Sequence, residues 1–261
     1  MRLRFYGIVV CALSALCMSS AAFALSGRLE VTGGEFKLRL DDGRVLEKNA
    51  LVGHRIVLNN GAHEQPVLID AVMEELSRDG QGIVLYRLLI EDPATKTLHN
   101  ICQADARGRQ LGFPMPRQGG FDLTCTSGAE GKCILMGYRP WDERSDVPMR
   151  ALHRACIHAI RADYGGDSRP STRDGTLIDI YDRHGIREAE KESPMPFEAA
   201  WGENGALCVT RPRIAGNVTL DELAARYPRL AGNVGAENCT EETMQRNPQA
   251  LLFNRSASAG P

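Results

Sequence analysis

Beyond its first two dozen residues the chain has no long hydrophobic run. A membrane helix needs roughly 20 apolar residues in a row, so no later segment reads as a span. Charge of one sign is also lacking: 31 lysines and arginines stand against 33 aspartates and glutamates, which gives no reason to expect nucleic acid as a partner. No two cysteines show the Cys-x-x-Cys spacing that sets two thiolates on one zinc ion. No acidic run follows the every-second-position pattern of an EF-hand, so neither metal nor other cofactor is expected. Internal repeats are absent, which excludes a stacked-repeat architecture.

What is present begins at the N-terminus. Residues 1-24 combine Arg2 and Arg4, an apolar stretch from Gly7 to Met18 and the small-residue end Ala22-Phe23-Ala24. This is the three-part secretory signal, with cleavage expected after Ala24. Leu3 separates the two arginines, against a twin-arginine signal, and Leu16 precedes Cys17 where lipoprotein processing wants a small residue. The processed chain would start at Leu25, lose two arginines and no acid, and shift from a formal charge of -2 to about -4. It is expected in the periplasm or outside the cell, without a membrane span after cleavage. Its length suits one large domain or two small ones, since domains commonly hold about 100 to 200 residues.

Six cysteines remain after processing: Cys102, Cys125, Cys133, Cys156, Cys208 and Cys239. An even number in an exported chain reads as disulfides, with the pairing open. Cys125 and Cys133 would close the smallest loop between neighbours.

Hydrophobic patterning predicts an α+β fold. In the first half Glu35 to Leu40 alternates, His54 to Leu58 and Gly82 to Ile90 read as strands, and Val67 to Leu76 is favoured as a strand over a helix. The best helix runs from Pro148 to Tyr164: Met149, Leu152, Cys156 and Ile160 recur at helical spacing, Asp146 is a candidate cap and Gly165-Gly166 the stop. A strand from Thr176 to Asp182 follows, then a hairpin of Phe197 to Trp201 and Ala206 to Thr210 around Glu203-Asn204-Gly205. Thr219 and Glu222 form a capping box for a short helix to Tyr227. The organisation reads as a β-rich region over 25-100, a second region over 101-240 and a mobile tail over 241-261, rich in Asn, Ser, Ala and Gly.

The segment Cys156-Ile157-His158-Ala159-Ile160-Arg161-Ala162-Asp163-Tyr164-Gly165-Gly166-Asp167, followed by Thr172-Arg173-Asp174-Gly175-Thr176 and Ile178-Asp179, resembles the ADYC domain of exported bacterial proteins. Further blocks fit: Lys132-Cys133 running into Gly137-Tyr138-Arg139-Pro140-Trp141, then Phe197-Glu198-Ala199-Ala200-Trp201 and Gly205-Ala206-Leu207-Cys208-Val209. Together they cover roughly Cys102 to Cys239. The cysteine of the motif is Gly165 here. The resemblance implies a second cysteine where this chain has Tyr227, so a bridge would be missing as a unit, which argues against a nucleophilic role for that cysteine. It implies no activity.

The candidate ligand-binding residues are Arg161, Asp163, Tyr164, Asp167, Arg173, Asp174 and Asp179, clustered around the loop from Gly165 to Gly175. So many carboxylates would suit a divalent ion or an acid-base pair. The plainer alternative is that the aspartates shape turns, with Asp163 accepting loop N–H groups and Tyr164 packed in the core. Ser168 follows Gly166-Asp167, yet lacks the context of a nucleophilic serine. His153 and His158 lie five apart on the helix, about 140° around it, and cannot share a metal. Cys156 beside His153 reads as a disulfide before a thiolate, and Trp141, Trp201 and Tyr138 as core before a sugar-stacking surface. Asn217, Asn238 and Asn254 match glycosylation triplets that a bacterial host would ignore. With no complete catalytic constellation, the sequence reads as a non-catalytic envelope or extracellular module binding a partner of unknown identity. The alternative is a hydrolase using Asp163, Asp167, Asp174 and Asp179 with or without a divalent ion.

Overall fold

The computed structural model describes residues 27–59, 64–77, 80–144 and 146–257. The expected signal segment lies outside them.

In the first half, alternation makes strands. β1 (Gly27–Thr32), β2 (Glu35–Leu40) and β3 (Val45–Glu47) form a small antiparallel sheet in that order, with Phe36 and Leu40 buried. β4 (Arg55–Asn59), β5 (Glu64–Leu76), β6 (Gly82–Glu91), β7 (Leu98–Asn100), β8 (Gly112–Arg117) and β9 (Gly120–Cys125) build a second sheet, ordered β4-β5-β6-β8-β9 with β7 on β6. The segment from Val67 to Leu76 is therefore strand, and its register shifts between Ile69 and Ala71. The two sheets enclose a core of Phe36, Ile56, Ile69, Leu85, Tyr86 and Phe113. The Phe36 N–H donates to the Tyr86 hydroxyl at 3.0 Å, so even the buried phenol is satisfied.

The second half is built on α1 (Ala129–Leu135) and α2 (Met149–Arg161), followed by β10 (Ile178–Asp182), β11 (Phe197–Gly202), β12 (Gly205–Val209), α3 (Leu220–Arg226), α4 (Glu241–Gln245) and β13 (Leu252–Ser256). Helix α2 buries Met149, Leu152, Ala155, Cys156 and Ala159 against the antiparallel sheet β10-β13-β11-β12. Each of its larger apolar side chains contributes about 1.5–3 kcal/mol by leaving water. The fold is α+β and stapled by disulfides.

Several expectations change. The segment read as a mobile tail supplies α4 and β13, and β13 lies inside the sheet between β10 and β11, with Leu252 and Phe253 buried. Asp146 does not cap α2, whose N-cap is Pro148 without a side-chain bond. Nor do the glycines stop it: Ala162 takes the left-handed conformation (φ 46°) and the Asp163 N–H reaches back to the His158 carbonyl at 2.9 Å, closing the helix before Gly165. Ile160 is half-buried, and His153 is buried. The strand before Asp182 starts at Ile178. The Thr219 capping box and the hairpin across Glu203-Asn204 form as read.

The halves meet along α1 and the segment after it. Ile134 enters the first core while Cys133 enters the second. Gly131 is required where α1 crosses the end of β9, because a Cβ there would fall 2.1 Å from the Cys125 carbonyl oxygen. Tyr138 donates to Asp182 in the second half at 3.0 Å, and Arg139 donates to Ser77 in the first at 2.9 Å. Trp141 packs on the Gly33-Gly34 turn. The bridges are Cys102–Cys125, Cys133–Cys156 and Cys208–Cys239, so Cys125 and Cys133 do not pair with each other.

Candidate functional site

The residues Ala162-Asp163-Tyr164 close α2 and turn inward. The Asp163 carboxylate is buried; Oδ2 accepts from His158 Nδ1 and from the Ser168 N–H, both at 3.1 Å. Burial pushes this carboxyl up, but the His158 hydrogen bond and charge, with the Ser168 and Arg169 N–H groups, outweigh it and hold it below its ordinary value. Ser168 accordingly sits in the left-handed region at φ 68°, held by its N–H bond to Asp163.

Tyr164 stacks on Trp201 with ring centroids 5.5 Å apart, and its hydroxyl donates to Glu198 Oε1 at 3.0 Å while accepting the Arg213 N–H at 2.8 Å. Burial and the Glu198 charge push the phenol well above its ordinary range, so it stays a donor. Glu198 and Arg213 are both fully buried and paired in a fork: Nε to Oε2 and Nη2 to Oε1, each 3.0 Å. The remaining guanidinium hydrogens go to the carbonyls of Ala159 (2.6 Å) and Ile160 (2.8 Å) and to Thr172 Oγ1 (3.2 Å). Arg213 thus satisfies the open C-terminal carbonyls of α2. Asn254 completes the set, donating to Glu198 Oε2 at 2.9 Å and accepting from Trp201 Nε1 at 2.7 Å.

Glu198, Arg213 and Asn254 had escaped the sequence reading. One signal was available: Glu198 sits in Phe197-Glu198-Ala199-Ala200-Trp201, a charge inside an apolar strand. Arg213 and Asn254 carry no local signal, because their partners lie 53 or more residues away for α2 carbonyls and for β11 to β13.

Of the other candidate residues, Asp167 and Asp179 bond elsewhere, and Arg161, Arg173 and Asp174 line one groove. Asp167 is exposed and accepts from the Tyr227 hydroxyl at 3.0 Å. Asp179 is buried, its Oδ2 taking the Glu190 N–H at 3.1 Å. Arg173 and Asp174 are exposed, and Arg161 is half-buried. Asp163, Asp167 and Asp179 each bond to a separate neighbour, and among the described residues no three His, Cys, Asp or Glu side chains gather to hold a metal ion. Cys156 is bonded to Cys133, which removes it as a thiolate. Among the described residues Ser168 makes no side-chain bond to a histidine. Tyr138 and Trp201 are fully buried, so no sugar-stacking surface forms from them, and Asn254 is buried in the network.

Beside this interior lies an open groove of about 600 Å³, between α1, the end of α2 and the loop leading into β10. Its cations are Lys132, Arg161, Arg173 and the inward-paired Arg213, and Asp174 is the acid in its lining. Ser127, Thr172 and Thr176 supply hydroxyls, while Met136, Ile160 and Ile178 supply an aliphatic floor. Larger hollows exist, such as one of about 790 Å³ where β4 faces β9, but it is lined by the loop Gln118 to Gly120 and by strand residues, remote from the motif.

Gly165 lies under the Tyr227 ring: a Cβ there would fall 2.2 Å from Tyr227 Cζ. A cysteine at 165 is incompatible with that ring in place, and the two positions that the resemblance couples are neighbours in space. No curated protein and no solved structure matches the chain. The family model described as the ADYC domain matches residues 48–215. It starts in the first half, ahead of β4, and ends just past Arg213, so it covers the β4–β9 sheet and the strands β10 to β12, and leaves out the β1–β3 sheet, Cys239 and β13. The buried Asp163-Tyr164 turn, its Glu198–Arg213 support and this match over more than half the sequence agree: the chain belongs to the ADYC domain family.

Proposed function

We propose that the protein is a non-catalytic binding module of the bacterial envelope or extracellular space, exported by its N-terminal signal, that takes a ligand in the groove beside the loop from Gly165 to Gly175. The observation that carries this reading is a division of labour. The Tyr164 hydroxyl and Asp163 Oδ2 are committed to partners within the fold, whereas Lys132, Arg161 and Arg173 in the adjacent groove make no ion pair or side-chain hydrogen bond among the described residues. Catalysis by paired carboxylates needs two of them convergent in a cleft, and the aspartates bond to different neighbours instead. Three disulfides suit an oxidising compartment, and no described helix is long and apolar enough to cross a membrane.

The test is a titration of isotope-labelled processed protein with envelope fragments, followed by amide shifts and by product analysis of the same samples. Saturable shifts confined to residues near 127–136 and 160–178, without any new product, are expected. Turnover of a fragment that disappears in Asp163→Asn or Asp174→Asn would replace this reading with the hydrolase.

A further inference from the structure

We infer that the groove is an anion site, taking a small organic molecule that carries phosphate or carboxylate groups; this rests on the binding reading above and names its ligand class. Besides Arg213, which Glu198 neutralises, three cations line the groove against one acid, Asp174, although the chain as a whole carries 31 basic and 33 acidic residues. Local charge thus opposes global charge, and a cleft with low-dielectric walls concentrates such a field on whatever enters it.

These side chains differ from other arginines nearby. Arg154 on the same helix pairs with Glu203 at 3.1 Å, and Arg169 in the same loop pairs with Asp167 at 3.4 Å. Lys132, Arg161 and Arg173 make no such pair among the described residues, so their donors are available to an incoming anion. Arg213, which also lines the groove, contributes no free charge, since Glu198 neutralises it in the interior. Two guanidinium groups offer planar forks that match phosphate or carboxylate oxygens, and the lysine adds a point charge.

Size and floor narrow the class. A volume of about 600 Å³ falls inside the roughly 300–1,000 Å³ common for small-molecule sites. Ile160 forms part of an aliphatic floor without an aromatic ring, which accommodates the uncharged body of the ligand but gives no platform for stacking a sugar or base.

The experiment is calorimetric titration of the processed chain at low ionic strength with pyrophosphate, citrate and the neutral disaccharide chitobiose. Proteins compared are the parent, Arg161→Gln/Arg173→Gln and the control Arg150→Gln/Arg154→Gln, which removes the same charge elsewhere on α2. Pyrophosphate or citrate should bind the parent, weaken about tenfold or more in the groove variant, change less than about twofold in the control, and weaken as salt is raised. The preferred anion tells phosphate from carboxylate chemistry. Arg173→Gln alone, on an exposed side chain, carries the test if the double variant loses its fold. Equal anion affinity in parent and groove variant, or no anion binding, overturns the inference. Chitobiose binding in the groove without anion binding overturns it while leaving the binding reading intact; no amide shifts in the groove with any envelope fragment remove both.

Discussion

The two halves reach stability by different means. The first encloses aliphatic and aromatic side chains between two sheets. The second surrounds a fully buried ion pair, Glu198–Arg213, to which α2, β11 and β13 are each tied by side-chain bonds. The first kind of core tolerates near-isosteric change because only volume is at stake. The second does not, because each donor has one acceptor and removal of a charge leaves its partner stranded in a low dielectric. The Ala162-Asp163-Tyr164 turn belongs to the second kind.

The largest expected effect sharpens this contrast. Glu198→Gln keeps the shape but leaves the Arg213 charge without compensation, and should cost about 3–5 kcal/mol in urea unfolding. Ile69→Val, at a fully buried site in the first half, should cost about 0.5–1.5 kcal/mol. Equal losses would break the comparison.

Acid provides the next effect. Burial of His153 lowers its pKa from 6.5 to about 4, against the smaller opposing pull of the Glu130 carbonyl. The unfolded chain therefore binds this proton first as pH falls. The stability is fully present above pH 6.5 and is lost as pH falls toward about 4, a change on the order of 3 kcal/mol. His153→Leu should flatten that part of the stability profile. Asp163, held below its ordinary value, adds loss only at still lower pH, as its own folded pKa is crossed.

A gain of roughly 2 kcal/mol is expected from Gly165→Cys/Tyr227→Cys. The ring that now covers Gly165 would be replaced by a bridge between neighbouring positions, detectable as a mass loss of two hydrogens under non-reducing conditions. A smaller effect, about 1 kcal/mol, should follow Thr219→Ala, which removes the capping box of α3.

How much of this could be read beforehand follows the same division. β2 was legible to the residue because Phe36 and Leu40 alternate with polar neighbours, and α2 because its apolar stripe recurs at helical spacing. The capping box announced α3 through four residues alone. β13 was not legible: Asn254, Arg255 and Ser256 look like tail composition, and what makes them strand is pairing with β10 and β11 more than 50 residues earlier. Of the residues that the sequence singles out around the loop, Arg161, Arg173 and Asp174 line the groove. The sequence mixed them with Asp163, Tyr164 and Asp179, which turn inward, since a loop carboxylate that caps a turn and one that faces a ligand have the same letter. Lys132 was quoted only as part of a family block, because α1 meets the loop through space and not along the chain.

Tyr164 of the motif is scaffold, and the groove beside it is where we propose that the ligand sits. Urea unfolding of Tyr164→Phe and Arg173→Gln, followed by tryptophan fluorescence, tests this most directly. Loss of the phenol leaves the buried Arg213 N–H without an acceptor, so Tyr164→Phe should fall by about 1–3 kcal/mol, whereas exposed Arg173→Gln should stay within about 0.5 kcal/mol of the parent. A Tyr164→Phe protein as stable as the parent would contradict the account.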